Sequence, residues 1–227
     1  MKILFLSDNF PPYSRGGAEI NAFNLAQALC SNGHEVFVIV ATSNKNQTGW
    51  FEYEGLKLCR VYSNYHRFFT HYFAIYNPWT VSKIEEVIKM ISPDIVHAHN
   101  VHSHISYYSL KVVKKYAEAV FLTAHDTMLF SCGKFDGFID KKILSVRQDF
   151  NYKISFREQI SSAKKRFNPF RNIFIRHYLK YVDKIFTNSS ILEKALNDNN
   201  IKNTETVHYG TDIKTISSRD EVNNFKN

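Results

Sequence analysis

The sequence predicts an α/β fold: a doubly wound, mostly parallel, Rossmann-like sheet in a single domain, with a long, partly helical insertion before the last strands. Three observations lead there. Short apolar runs alternate with stretches of helical period along most of the chain. The run Val36-Phe37-Val38-Ile39-Val40 shows no polar alternation, as expected of a parallel strand covered on both faces. The opening, Met1 to Thr42, reads as strand, glycine loop, helix and strand, which is one right-handed βαβ unit.

Ile3 to Leu6 is the first strand; Asp8 and Asn9 cut the apolar run too early for a signal peptide. The loop Ser7 to Gly17 ends in a glycine pair just where a helix begins. That helix, Ala18 to Ser31, puts Ala18, Ala22, Leu25, Ala26 and Leu29 on one side, and Gly33 supplies a left-handed stop. Ser43 to Gly49 reads as loop and Leu56 to Tyr62 as a third strand. Asn64 to Trp79 is crowded with rings. Thr80 to Ile91 follows as a helix, with Val81, Ile84, Val87, Ile88 and Ile91 facing inward. Ile95 to Ala98 is a strand ending in His99-Asn100, and Ile105 to Ala117 is a helix. Val120 to Thr123 is a strand ending in Ala124-His125-Asp126.

From Thr127 to Pro169 the periodicity dissolves, over a length that suits a functional or mobile insertion. A helix spans Phe170 to Asp183 and a strand Lys184 to Thr187. The spacing of Ser190 and Glu193 suggests a capping box at the start of the next helix. Thr206 to Tyr209 reads as the last strand. Residues 1–213 thus form the Rossmann-like domain, and 214–227 a linker or frayed tail.

A chain of 227 residues can bury one good core or two small ones. Its net charge of +8 calls for an acidic partner: a phosphorylated small molecule, an anionic membrane or nucleic acid. Cys30, Cys59 and Cys132 are odd in number and widely spaced, which suits reduced thiols in a cytosolic protein. No apolar run approaches bilayer length.

Gly16-Gly17 lies between a strand and a helix whose first amides attract anions, and residues lacking Cβ admit a phosphate or sugar to the backbone. The G-x-G-x-x-G fingerprint of dinucleotide enzymes is absent, as are a P-loop, a nucleophile elbow and an HExxH motif. His99 and His125 both stand at carboxyl ends of parallel strands, where ligands bind in such sheets. His97, His99, His102 and His104 match no common zinc spacing, so no metal is expected. From Lys153 to Lys184, cations alternate with rings, and Arg176, Lys180 and Lys184 recur as a stripe. Together with Lys164, Lys165 and Arg166 these suit an anionic bilayer surface. No nucleic-acid motif accompanies them, so nucleic acid is not an expected partner.

The segments Phe10-Pro11-Pro12, Gly16-Gly17-Ala18-Glu19, Leu25-Ala26 and Gly33-His34-Glu35-Val36 resemble the amino-terminal, acceptor-side domain of family 4 glycosyltransferases of the GT-B fold. Pro93 to His99, Thr123 to Asp126, Thr187 to Ser190 and Val207 to Asp212 continue the resemblance, which covers about residues 1–213. It implies retaining transfer of a sugar from a nucleotide sugar to a hydroxyl of a glycan or lipid-linked acceptor, without a cofactor or catalytic metal. It places Gly16 and Gly17 against the donor diphosphate and sugar, makes His125 and Asp126 the catalytic pair, with His125 beside the transferred sugar and Asp126 near the acceptor, and puts His99 and Asn100 on the acceptor side. The family's second, donor-binding domain has no counterpart here, and Tyr209 stands where the family usually has asparagine. The expectation is therefore a half-enzyme completed by a separate domain or chain, cytoplasmic or peripheral on the inner face of the membrane. The alternative is a non-catalytic binding or membrane-docking module on the same fold.

Overall fold

The computed structural model describes residues 1–133, 139–140, 145–146 and 151–210. They form an eight-stranded sheet, parallel except for one edge strand, as the sequence predicts. The predicted tail, 214–227, lies outside the described residues.

Strand β1 (Lys2–Ser7) pairs with β2 (Glu35–Thr42) on one side and β5 (Ile95–Ala98) on the other. Beyond β2 lie β4 (Leu56–Tyr62) and the edge strand β3 (Gly49–Tyr53); beyond β5 lie β6 (Ala119–Ala124), β9 (Lys184–Thr187) and β10 (Thr204–Thr206). The strand order reverses between β1 and β5, so a ligand crevice is expected outside the carboxyl ends of this pair. All five residues of Val36–Val40 are buried, as their unbroken apolar run requires.

Helix α1 (Gly17–Ser31) covers one face of β1, β2 and β4 through Ala22 and Ala26. The predicted inward Leu25 is instead exposed, because the buried stripe is centred on Ala22 and Ala26 and position 25 lies about 100° around the helix from Ala26. The chain leaves α1 through Gly33 at φ +82°, the left-handed conformation that favours glycine. The opposite face of the sheet carries α3 (Pro78–Ile91), α4 (Tyr108–Val113), α6 (Arg171–Tyr178) and α7 (Ser190–Asp198) over the larger core. All five residues expected to face inward on α3 are buried. Helix α2 (Thr70–Phe73) is a single turn among the rings. The insertion between β6 and β9 holds α5 (Phe156–Ala163), α6 and a two-stranded ribbon of β7 (Ile139–Asp140) and β8 (Ser145–Val146).

Several elements differ from their sequence readings. Strand β3 forms a hairpin with β4 through Glu54 and Gly55, both at positive φ, where the sequence suggested only a loop before the third strand. Helix α4 starts three residues late, because the amide of Ile105 is held by Asp8 and Ser106 is left-handed at φ +71°. The final helix is capped by Ser189, whose hydroxyl accepts from the amide of Leu192, rather than by Ser190. Glu193 instead accepts from the hydroxyls of Thr204 and Thr206, tying α7 to β10. The capping box is at Ser155 and Glu158, inside the stretch that had no readable period. The last strand ends at Thr206, although Val207 still donates to the carbonyl of Thr187. Helix α6 stops at Tyr178, so Lys184 leaves the basic stripe, joins β9 and pairs with Glu205.

Candidate active site

The crevice between the β1 and β5 loops is stitched shut at its base by Asp8. This carboxylate is 2% exposed and accepts the amides of Ser103, His104 and Ile105, each at 2.7 Å. Its own amide donates to the carbonyl of Asn100 at 2.8 Å. Burial pushes the Asp8 carboxyl up from its ordinary range, and His102, His104 and the amides of Ile105 and Ser103 oppose that rise. Asn77 and Ser63 fasten the same loop from behind: Asn77 donates to the carbonyl of His104, and Ser63 meets His104 Nδ1 at 2.9 Å. These contacts commit His104 to the scaffold.

On the β5 and β6 side, histidines form a stacked series. The ring of His99 lies parallel to Phe5 at 5.3 Å, and His97 is 4.4 Å from His99. His97 Nε2 meets the Thr123 hydroxyl at 2.8 Å. His99 Nδ1 lies 2.9 Å from His125 Nε2, and His125 Nδ1 lies 2.5 Å from the Tyr209 hydroxyl. Each shared hydrogen bond has one proton, so the tautomer of one ring sets that of the next. Burial holds all three imidazoles neutral: His97 is pushed down to about 3, His125 to about 4, and His99 well below the usual value. Asp126 opposes the shift at His125.

Two consequences follow for the predicted site residues. His99 is 1% exposed, so its route to the cleft runs through His125, and its Nε2 has no partner. His125 is the exposed end of the pair, yet both its ring nitrogens are already engaged. Asp126 faces solvent and accepts the amide of Met128 at 2.8 Å. Asn100 contributes its carbonyl to the Asp8 stitch.

Gly16 and Gly17 are exposed on the β1 side, at the first turn of α1. No side chain caps this helix start. A Cβ on Gly17 would meet nothing within 4 Å, whereas one on Gly16 would collide with the movable carboxylate of Glu19. A trough of about 1010 Å³ runs along the α1 side of the sheet past His97, Phe121 and Phe186, and Tyr209 forms part of its wall.

The cations divide into two groups. Lys164 and Lys165 are exposed on the turn after α5, with Arg166 half-buried beside them; Arg176 and Lys180 are exposed further on. Arg171, which the sequence placed in the same basic run, is fully buried. Its guanidinium donates to the carbonyls of Met128 at 2.5 Å and Ser131 at 3.2 Å, anchoring the loop that follows Asp126. The Lys164–Arg166 turn packs against the Arg67–Phe69 turn, which brings the exposed Phe68 and Phe69 beside these cations, and Phe170, Ile173 and Phe174 are exposed just beyond in the chain. Sequence reasoning missed Asp8, Arg171 and the partner of Tyr209. An acidic residue just after an apolar strand was the only local signal for Asp8.

A family model described as Glycosyltransferase Family 4 matches residues 15–215. The chain is 30% identical over 142 residues to an "Uncharacterized 42.6 kDa protein in cps region" of Klebsiella pneumoniae, a match covering 57% of this chain and 38% of that protein. In fold it is similar to a sucrose-phosphate synthase from Thermosynechococcus elongatus, with a TM-score of 0.64 at 15% identity, covering 94% of this chain and 49% of that one. A shorter chain of the same synthase matches with a TM-score of 0.56 at 12% identity, over 93% of this chain and 91% of that one. The chain therefore spans about half the length of the full synthase and less of the Klebsiella protein.

Proposed function

The chain belongs to Glycosyltransferase Family 4, and from that premise we propose that it is the acceptor-binding half of a retaining GT-B glycosyltransferase. In this reading it takes a sugar from a nucleotide sugar to a hydroxyl of a glycan or lipid-linked acceptor. A donor-binding domain, on further sequence or a separate chain, completes the site. The observation that carries the reading is one of placement. The Gly16-Gly17 loop, His99, the His125-Asp126 pair and Tyr209 all gather at the carboxyl edge of one parallel sheet, around the point where its strand order reverses.

Each residue then has a task that suits its setting. Gly17 leaves the backbone open, so a diphosphate can approach the amides at the start of α1. His125, held neutral, can offer a sugar hydroxyl its Nδ1 once the substrate displaces Tyr209, without bringing a buried charge to the site. Asp126 stands beside it as an exposed acceptor. His99 positions the His125 ring from behind. No cofactor enters this scheme.

The exposed basic and aromatic surface suits docking to an anionic bilayer, with rings at headgroup depth and Lys164, Lys165, Arg166, Arg176 and Lys180 near lipid phosphate. Among the described residues no helix is long and apolar enough to cross a membrane. The proposed location is peripheral, on the cytoplasmic face, resting on the basic and aromatic surface alone.

One observation favours the non-catalytic module: with both nitrogens of His125 engaged, a substrate must displace Tyr209 to reach Nδ1. The test is to offer nucleotide sugars and acceptors to the 227-residue chain, alone and with a family donor-binding domain supplied in trans. Little transfer alone, and recovery in trans with the anomeric configuration retained, is the expected result. Full transfer by the chain alone refutes the dependence on a second domain. No transfer in either case, with acceptor still bound, leaves the binding module.

A further inference from the structure

Arg60 is a buried cation without an anion. It lies on β4, between Val40 of β2 and Gly49 of β3, and is 6% exposed. Its guanidinium carbon sits 3.5 Å from the centroid of the Tyr13 ring and 4.4 Å from that of Phe51. The two rings stand 72° to each other with centroids 6.4 Å apart, so they flank the guanidinium at an angle and do not sandwich it. One terminal nitrogen, Nη2, is buried with no hydrogen-bond partner. Among the described residues no carboxylate lies within ion-pair distance of it.

A guanidinium does not shed its charge at ordinary pH, and a buried charge is costly unless paired and hydrogen-bonded. The neighbouring rings offer Arg60 cation–π contact but supply no hydrogen-bond acceptor to Nη2. Arg60 lines a cleft of about 280 Å³ at the carboxyl ends of β1, β2 and β4, together with Asp8, Ser14, Thr42, Gln47 and His104. Asp8 is the acidic member of that lining, and both its oxygens are taken by main-chain amides of the neighbouring loop. The cleft thus combines one unpaired cation with neutral hydroxyl and amide groups. At about 280 Å³ it lies at the small end of ligand pockets, which favours a ligand of monosaccharide size over a longer chain.

We propose that Arg60 is the anion-binding residue of an acceptor subsite, taking a carboxylate or phosphate carried on a sugar. Such groups match the forked geometry of a guanidinium edge. This rests on the sugar-transfer reading only for the word acceptor; binding can be measured without it. The subsite lies on the β2 and β4 side of the crevice, and Asp8 joins it to the loop after β5. Tyr13 covers it from the loop that leads to Gly16 and Gly17.

The test is calorimetric titration of the 227-residue chain with glucose, glucuronate, glucose 6-phosphate and inorganic phosphate. The expected result is that one of the two charged sugars binds at least tenfold more tightly than glucose and than inorganic phosphate. Whichever it is identifies the group as carboxylate or phosphate. Arg60→Gln should remove the preference, and Arg60→Lys, which keeps the charge but not the fork, should reduce it severalfold while preserving the fold. Equal binding of charged and neutral sugars by the wild type, or a preference unchanged in both variants, overturns the subsite. Preference without transfer under any condition leaves the subsite standing and removes the enzyme reading. Transfer to neutral acceptors that is indifferent to both variants does the reverse.

Discussion

The hydroxyl of Tyr209 lies 2.5 Å from Nδ1 of His125, joining two residues 84 positions apart in the chain. Burial pushes the Tyr209 phenol up to about 12, so at neutral pH it carries its proton and can donate it to the imidazole. His125 is then protonated on Nε2 and donates to His99.

Loss of that donor should be visible in the titration of His125. A hydrogen bond to the neutral ring favours the neutral form, and a net bond of about 1 kcal/mol corresponds to somewhat less than one pKa unit. Tyr209→Phe should therefore raise the His125 pKa by about that amount in an NMR titration. An unchanged value means that the contact does not hold the tautomer.

Stability should fall as pH drops below neutrality. His97 and His125 are held at about 3 and 4 in the folded state, and buried His71 at about 4, against an ordinary value of 6.5. The unfolded chain therefore binds more protons between about pH 6.5 and 4, so this stability is complete above 6.5 and is lost toward 4. Each histidine contributes up to about 1.4 kcal/mol per pH unit in that window. Urea midpoints at pH 7.5 and 5 measure it, and equal midpoints contradict the burial of neutral rings.

Gly17→Ala separates a structural glycine from a binding one. The added Cβ meets nothing within 4 Å, and Gly17 opens a helix, so folded stability should hold or rise by up to about 1 kcal/mol. If a donor diphosphate approaches this backbone, transfer by the completed enzyme should fall at least about tenfold, equivalent to about 1.4 kcal/mol. Full activity with normal stability removes Gly17 from the donor site.

Replacing Lys164, Lys165 and Arg166 with Ser should weaken binding to phosphatidylserine vesicles by roughly a hundredfold, at about 1 kcal/mol per cation near the surface. Phe170→Ser with Ile173→Ser should weaken binding to neutral vesicles as well, since these side chains are 60% and 59% exposed. Cosedimentation that is indifferent to both sets excludes this face as a membrane contact.

The strands of the central sheet were legible because burial on both faces leaves an unbroken apolar run, as in Val36 to Val40, whichever strand lies alongside. Helix α3 was legible because its five inward residues follow backbone period alone. The hairpin strand β3 was not, since Gly49 to Tyr53 is a half-covered edge and its signal, Glu54-Gly55, is a single turn. Ser189 and Ser190 are both good caps, and the choice depended on Glu193 being taken by threonines of β10.

From the order of residues alone came the α/β class, the glycine loop after the first strand, and the position of His99 and His125 at strand ends. All three are local properties, set by backbone period and by the solvation of each side chain in turn. The fold added the partnerships: Asp8 with three amides of a distant loop, His125 between His99 and Tyr209, Arg171 drawn inward, and Arg60 enclosed without an anion. Those depend on which strands become neighbours, and the order β10-β9-β6-β5-β1-β2-β4-β3 follows from packing across the whole chain. Hydrogen bonds act over about 3 Å, so a pair far apart in sequence exists only once the sheet has brought its two strand ends together.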